Sequence, residues 1–165
     1  MSSRGGVLWA FIIAALVFVV DRGVKVLVEG SMRLGESIPL IPGFLSLTYI
    51  RNDGGAFGIL GGSRLVLLIG SAVAIGVVLW ILLSGSFSRL NSLGCGLILG
   101  GAASNLVDRL ASGEVTDYVH FSFWYIFNAA DAAIVVGVGL LLLSALRPER
   151  AGQRPAVGDR QRTEG

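Results

Sequence analysis

Two aspartates lie where the surrounding sequence is suited to lipid. Asp117 follows one membrane-length apolar run, and Asp131 lies in the first turn of the next, within Phe127-Asn128-Ala129-Ala130-Asp131. An ionisable group at membrane depth is costly unless it is paired, hydrated or protonated. Two carboxyls near one membrane face therefore indicate a site where carboxyl protonation is the chemistry.

Two close carboxyls cannot both ionise cheaply, so they share a proton and titrate as a unit. The ionised carboxyl can take a proton from water while the protonated one polarises the carbonyl that the water attacks. This is peptide hydrolysis without a covalent intermediate. The single cysteine, Cys95, lies in an apolar run, and the single histidine, His120, is far from it in sequence. The sequence therefore predicts no thiol nucleophile, no metal site and no cofactor.

The composition is that of an integral membrane protein. The chain has 165 residues, of which 53% are hydrophobic and 15% charged, with a mean hydropathy of +0.76. Residues 1–146 hold as many acids as bases, and the tail at residues 147–165 supplies the whole net charge of +2. We expect one membrane domain at 1–146 and a basic, disordered cytoplasmic tail. Nothing in this balance suggests a nucleic-acid partner.

Four apolar segments predict an all-α membrane protein with four transmembrane helices. They span residues 7–28, 65–83, 92–107 and 128–146. We interpret the first as a retained helix, because Asp21-Arg22 stands where a signal peptide would carry small residues for cleavage. The third segment is rich in glycine, which favours close helix packing and leaves a functional role open as well.

The connections predict the orientation and a small extracytoplasmic sheet. The positive-inside tendency predicts that both termini lie in the cytoplasm. Residues 29–64 then face outward with residues 108–127. Residues 44–50 alternate as a strand does, and Asn52-Asp53-Gly54-Gly55 is a turn signal.

Polar groups at membrane depth gather toward this outer face. Asp21 and Lys25 have i, i+4 spacing and share one helix face, as do Asn128 and Asp131 at i, i+3. The third segment ends in Asn105, Asp108 and Arg109. An alternative is that the cations only snorkel to lipid headgroups. Tryptophans and Tyr125 are interpreted as an interfacial belt.

With these blocks in order, the sequence from about residue 10 to 146 resembles lipoprotein signal peptidase (signal peptidase II). The matching blocks are Asp21-Arg22-x-x-Lys25, Asn52-Asp53-Gly54-Gly55-Ala56-Phe57, Gly100-Gly101-Ala102-x-x-Asn105-Leu106-x-Asp108-Arg109, Val115-Thr116-Asp117-Tyr118 and Phe127-Asn128-x-Ala130-Asp131. Each block alone is weak, whereas five in sequence order at helix ends are specific.

The resemblance implies a four-helix aspartyl endopeptidase with Asp117 and Asp131 as its catalytic dyad. It implies supporting or substrate-binding roles for Asp21, Lys25, Asn52, Gly54, Gly101, Asn105, Asp108, Arg109, Asn128 and Ala130. The implied substrate is a prolipoprotein cleaved before a diacylglyceryl-modified cysteine, and membrane lipids and a globomycin-like cyclic peptide inhibitor are implied as ligands. We expect a monomer. The sequence departs from the family at Arg22, where Gln is common, at Gly55, where Ala is common, and at Trp124-Tyr125, where Trp-Pro is frequent.

Two other functions stay open on the residues alone. A small proton-coupled carrier could use Asp117 and Asp131 as a relay. Against it, four spans are few, no inverted repeat is visible and the polar groups gather at one face. A structural assembly protein would leave the paired acids unexplained.

Overall fold

The described part of the chain forms four helices and one small sheet. The computed structural model describes residues 3–54, 64–84 and 88–146. The helices are α1 (Ser3–Ser31), α2 (Arg64–Ser84), α3 (Arg89–Ala111) and α4 (Ala129–Ala145). The strands β1 (Ser37–Ile41), β2 (Leu45–Asn52) and β3 (Val115–Phe121) form an antiparallel sheet in the order β1-β2-β3. The predicted fold class is confirmed. The predictions for Gly55, Ala56, Phe57 and the tail at residues 147–165 lie outside the described residues.

Three of the helices are long and apolar enough to cross a membrane: α1, α2 and α3. Helix α4 has 17 residues, which at about 1.5 Å per residue is a little shorter than the roughly 30 Å of a hydrocarbon core. Its first turn carries Asp131 and its remaining length is apolar. The polar start of α4 therefore lies near one end of the helical bundle.

Helix α3 packs against all three other helices, and its glycines allow the closest approaches. A Cβ added to Gly94 would lie 2.9 Å from the carbonyl oxygen of Gly137 in α4. One added to Gly96 would lie 2.6 Å from the carbonyl oxygen of Ala10 in α1. Small residues let helix backbones meet in lipid, where packing drives association. The packing interpretation of this glycine-rich segment is therefore confirmed.

The sheet contains two strands that the sequence pattern did not predict. Strand β2 corresponds to the predicted strand, extended to Asn52. Strand β1 lies at the edge of the sheet. Proline has no N–H to donate to a neighbouring strand, and an edge strand such as β1 tolerates Pro39 because one of its sides is unpaired. Asp117, expected on the connection between the third and fourth helices, lies there in β3 and pairs with Ile50 of β2. The strand fixes the carboxyl more firmly than a loop would.

The sheet is joined to α1 by a small apolar cluster. Tyr49 of β2 and Tyr118 of β3 are both buried, and they pack against Val28 and Met32 at the end of α1. Strand β3 leads through residues 122–128 into α4. The sheet thus holds Asp117 over the ends of α1, α3 and α4.

Candidate active site

Asn128 joins the two aspartates proposed from the sequence. Its side-chain Nδ2 donates to Asp117 Oδ1 at 2.7 Å, and its backbone N–H donates to Asp131 Oδ2 at 3.3 Å. Asn128 is 0% exposed and Asp117 1% exposed. Strand β3 and the first turn of α4 therefore bring both carboxyls to one buried residue. Among the described residues, no direct hydrogen bond joins the two carboxyls, and their connection runs through Asn128.

The start of α4 positions Asp131 by a capping box. Asn128 is the N-cap, and its Oδ1 accepts from the backbone N–H of Asp131 at 2.9 Å while the Asp131 carboxyl bonds back to the N-cap. The i, i+3 spacing seen in the sequence produces this reciprocal arrangement. Capping uses only Oδ2, because Oδ1 accepts instead from Asn105 Nδ2 of α3 at 2.7 Å. The capping box therefore accounts for the hydrogen bond of Oδ2 only. The other oxygen, Oδ1, belongs to the hydrogen-bond network of the site.

The orientation of the Asn105 amide follows from its neighbours. Its Oδ1 faces two donors, Lys25 Nζ at 2.9 Å and Asn128 Nδ2 at 3.1 Å. Only the carbonyl oxygen can accept from both, so Nδ2 must point to Asp131. A continuous chain of hydrogen bonds therefore runs from the α1 ammonium through Asn105 to the carboxyl on α4.

A buried charge cluster lies beneath the carboxyl pair. Lys25 is 0% exposed, and its Nζ contacts Asp21 Oδ2 at 2.7 Å and Asp108 Oδ2 at 2.8 Å. Arg22 pairs with the other oxygen of Asp108. Two acids and two cations leave the cluster neutral, as buried charges require. The snorkelling alternative is therefore wrong for Lys25, which binds inside the protein, and Arg22 is also paired there.

Asp21 anchors the start of α4 to α1. Its Oδ1 accepts from the backbone N–H of Ala130 at 3.1 Å and from the Tyr118 hydroxyl at 3.1 Å. Its Oδ2 accepts from Ser104 at 2.6 Å. The Tyr118 oxygen in turn accepts from the N–H of Ala129 at 3.0 Å. The first-turn amides of α4, which have no intrahelical partner, are thereby satisfied.

Asn52 holds Asp117 from the opposite side. Its Nδ2 donates to Asp117 Oδ2 at 2.9 Å, and its Oδ1 accepts from the N–H of Gly54 at 2.8 Å. Gly54 has φ of +86°, a conformation that favours glycine. A Cβ there would lie 2.1 Å from Leu67 Cδ1 of α2. The predicted turn therefore exists, and Gly54 supports Asn52 through both conformation and close packing.

Three other residues predicted from the sequence, Gly101, Ala130 and Arg109, surround the two carboxyls. Gly101 serves as a spacer, because an added Cβ would lie 2.4 Å from the carbonyl oxygen of Ala130. Ala130 is 0% exposed and contacts Asp21 through its backbone. Arg109 donates to Ser71 of α2 at 3.1 Å. Arg109 thus links α3 to α2 by that bond, and its influence on the carboxyls is through its charge.

Burial sets the electrostatics of Asp117. The pKa of its carboxyl is raised from 3.8 to about 6, chiefly by burial and in smaller part by the nearby Asp131 carboxyl. The hydrogen bonds from Asn52 and Asn128 oppose this rise, because they favour the ionised form. A carboxyl with a pKa near neutrality can exchange protons under ordinary conditions, which general acid–base catalysis needs.

Sequence reasoning missed several residues that hold the site together. Tyr118 was seen only as part of a motif, and Ser104 was not considered. Thr116 donates to Glu29 of α1 at 2.6 Å, and its N–H bonds Asp108 at 3.4 Å. Ser104 is four residues before Asp108 on α3, a helical spacing that could have marked it. The Tyr118 contact needs the tertiary fold and had no local signal.

The cysteine and the histidine lie outside this arrangement. Cys95 is a free, fully buried thiol in the apolar core between helices. His120 Nδ1 bonds Thr48 Oγ1 at 3.2 Å on the sheet. Neither has a hydrogen bond to Asp117 or Asp131 among the described residues. The side-chain groups that the described structure places around the two carboxyls are therefore carboxyls, amides, hydroxyls, an ammonium and guanidinium groups.

Comparison with known proteins supports one family. A family model described as signal peptidase (SPase) II matches residues 13–147. The chain is 40% identical over 142 residues to the lipoprotein signal peptidase of Halothermothrix orenii, covering 86% of this chain and 98% of the relative. It is 44% identical over 143 residues to that of Desulfitobacterium hafniense, covering 85% and 94%.

A solved structure agrees with the sequence relatives. A bacterial membrane enzyme matches this fold with a TM-score of 0.80 at 27% identity, covering 90% of this chain and 94% of that one. The family match spans both aspartates and every supporting residue named above. The resemblance inferred from the five motif blocks is confirmed, and the chain belongs to the signal peptidase II family.

Proposed function

We propose that this chain is an aspartic-type membrane endopeptidase that removes signal peptides from bacterial prolipoproteins. Membership of the signal peptidase II family and relatives named lipoprotein signal peptidase support this activity. The finer proposal is that cleavage precedes a diacylglyceryl-modified cysteine and uses Asp117 and Asp131. The observation that carries it is the position of Asn128, which contacts both carboxyls within one buried network.

In the proposed reaction, the two carboxyls hold one proton between them. The ionised carboxyl takes a proton from water, and the protonated carboxyl donates a hydrogen bond to the carbonyl oxygen of the scissile peptide. The water oxygen bonds to the carbonyl carbon, and the C–N bond breaks. The proton taken from water passes to the leaving nitrogen, which becomes the amino group of the cysteine. The signal peptide then ends in a carboxyl group, and the dyad again holds its single proton. We assign the dyad as a pair, because its titration belongs to both groups.

The surrounding residues are proposed to position this pair. Asn105 and Asn128 hold the carboxyls through fixed amide hydrogen bonds. The neutral cluster of Asp21, Arg22, Lys25 and Asp108 holds α1, α3 and α4 together beneath them. Arg109 supplies positive charge near both carboxyls, where negative charge develops on the carbonyl oxygen. Preorganised groups of this kind lower the reaction barrier without moving during the reaction.

The chain is an inner-membrane protein by its apolar helices and family. We propose that both termini are cytoplasmic and that the carboxyl pair lies near the outer face. The short loop with Arg89 and the arginine-rich tail support this orientation. Residues 29–64 and β3 would then form the outer subdomain, and residues 147–165 a cytoplasmic tail. We further propose a monomer that binds membrane lipids and is inhibited by a globomycin-like cyclic peptide.

The test is incubation of the detergent-solubilised protein with a diacylglyceryl-modified proprotein. The expected result is a mass loss equal to the signal peptide, with the lipidated cysteine as the new N-terminus. An unmodified proprotein should remain uncut, since the lipid is part of the proposed substrate. Proton flux in liposomes without any cleavage would reject the peptidase and select the carrier.

A further inference from the structure

A cleft on the outer subdomain borders the proposed dyad. This sheet cleft is lined by residues 50–53, His120 and residues 124–126, and its volume is about 390 Å³. Strand β2, strand β3 and the connection to α4 build it, so it lies outside the membrane-spanning helices. Its described lining combines polar groups with the exposed aromatic rings of Trp124 and Tyr125.

The sheet cleft is continuous with the carboxyl site. Asn52 lines the cleft and donates to Asp117 Oδ2 at 2.9 Å. Ile50, also in the lining, is the strand partner of Asp117. A peptide bound in the cleft would therefore lie next to residues that contact Asp117, which is itself buried.

A second cavity, more apolar than the sheet cleft, meets the same site. This helix cleft has a volume of about 330 Å³ and is lined by Trp124, Phe127, Asp131, Ala132, Val135 and Val136. Apart from Asp131 its described lining is apolar, and it follows the membrane helix α4. Trp124 lines both cavities. The carboxyl pair therefore lies between a cleft of mixed polarity on the sheet and an apolar cleft along a membrane helix.

The difference between the two clefts matches a difference between two parts of the proposed substrate. The inference therefore rests on the proposed function. Around the scissile bond, the signal helix and the lipid chains belong in the bilayer, whereas the mature polypeptide extends into water. A cleft outside the membrane that combines charged and amide side chains with aromatic rings suits the last of these best. We propose that the sheet cleft binds the first residues of the mature polypeptide, immediately downstream of the lipidated cysteine.

Arg51 is the residue of fixed positive charge in the described lining of this cleft. It is exposed, and its Nε donates to Tyr49 Oη at 3.2 Å, which fixes the base of the guanidinium. Its terminal N–H groups are suited to backbone carbonyls and to carboxylates of a bound peptide. His120 lies on the neighbouring strand, with Nδ1 bound to Thr48. Arg51 and His120 are thus expected to set the preference for downstream residues.

The experiment compares two diacylglyceryl-modified substrates with the same signal peptide. The long substrate carries a polar peptide after the cysteine, and the short substrate ends in a cysteine amide. Wild-type protein should cleave the long substrate with a higher kcat/KM. Arg51→Gln and His120→Gln should each lower that preference by up to about fivefold, the range of an exposed polar or charge contact, and leave the rate on the short substrate unchanged.

A second pair of substrates, which differ in the charge of the residue after the cysteine, tests the sign of the Arg51 contribution. With Asp or Lys placed after the cysteine, Arg51→Glu should lower the Asp-to-Lys ratio of kcat/KM relative to wild type. Arg33→Gln is the matched control, because Arg33 is an exposed arginine in the same outer connection but outside the described cleft lining. It should leave both ratios as in wild type.

Equal kcat/KM for the long and short substrates in wild type would overturn the assignment of the cleft and leave the proposed function in place. An Arg51→Gln effect of equal size on both substrates would also overturn it. Failure of wild type to cleave either substrate would overturn the proposed function and the cleft assignment with it.

Discussion

The hydrogen bond from Asn52 to Asp117 should set the pH range in which the enzyme works. Burial raises the pKa of Asp117 to about 6 although Asn52 and Asn128 both donate to its ionised form. Replacing Asn52 by leucine keeps a similar volume and removes the donor at 2.9 Å. The ionised carboxylate loses a partner and the neutral form does not. The pKa of Asp117 must therefore rise.

The size of this rise follows from the strength of the bond. A hydrogen bond to a charged group contributes about 1.5–3 kcal/mol, and about 1.4 kcal/mol corresponds to one pKa unit. Because Asn52 is partly exposed, water replaces part of the loss, and we expect a shift of about one unit. If the active form holds one proton on the pair, as proposed, raising one pKa moves a limb of the pH–rate profile upward whichever carboxyl is the base.

The same pKa has a consequence for stability. The folded-state pKa of about 6 lies above the 3.8 of a free aspartate, so the folded state binds the proton more tightly than the unfolded state. This contribution to stability is present below about pH 4 and is lost as the pH rises through about 6. Asn52→Leu should extend that loss to higher pH.

The assay is kcat/KM for a lipid-modified proprotein across the pH range, in wild type and in Asn52→Leu. The mutation also removes the acceptor for the N–H of Gly54, which can lower the rate at every pH, so the position of the limbs is the readout. Asn91→Leu is the matched control, because Asn91 lies at the opposite end of α3 from Asn105. A profile that stays in place or moves to lower pH in Asn52→Leu would refute the reasoning.

The remaining predictions concern the groups that support the carboxyl pair. Lys25→Met leaves two buried carboxylates without their shared cation and should lower the free energy of unfolding by about 3–5 kcal/mol, seen as a lower Tm in detergent. Gly101→Ala forces a Cβ against the Ala130 carbonyl and should destabilise the fold by about 1–3 kcal/mol. The control Gly139→Ala places its Cβ in open space on α4 and should not destabilise the fold. Equal Tm values for the two variants would contradict the spacer role of Gly101. Asn128→Ala removes the helix cap, worth about 1 kcal/mol, and also the bridge between the two carboxyls. We therefore expect kcat to fall far more than the loss of stability explains. A lower Tm with unchanged kcat would argue against the bridge.

Local geometry explains which parts of the site were predictable. The i, i+4 pair of Asp21 and Lys25 and the i, i+3 pair of Asn128 and Asp131 follow from helix periodicity, and both form the expected contacts. Asp108 as the second partner of Lys25 was not predictable in the same way. That contact joins α1 to α3, and no spacing within one helix encodes it.

The sheet shows where the sequence pattern was insufficient. Strand β1 contains Pro39, which weakens a strand signal, and its residues are exposed on both faces, so no alternation of polar and apolar positions marks it. Strand β3 is rich in β-branched and aromatic residues, but its buried half carries Asp117 and Thr116 beside Val115 and Tyr118. Those polar residues serve the site, and they hide the period-two pattern. The Tyr118 link between Asp21 and α4 likewise depends on this strand.

The central claim is that Asp117 and Asp131 together perform the hydrolysis. Its most direct test is single-turnover cleavage of a diacylglyceryl-modified proprotein by purified Asp117→Asn and Asp131→Asn proteins. Glu36→Gln is the matched acid-to-amide control, because Glu36 is an exposed carboxyl on the outer connection. The prediction is full membrane insertion of all three proteins, wild-type cleavage by Glu36→Gln, and a loss of about a thousandfold or more in both aspartate variants. Substantial release of signal peptide by Asp131→Asn or Asp117→Asn would contradict the account.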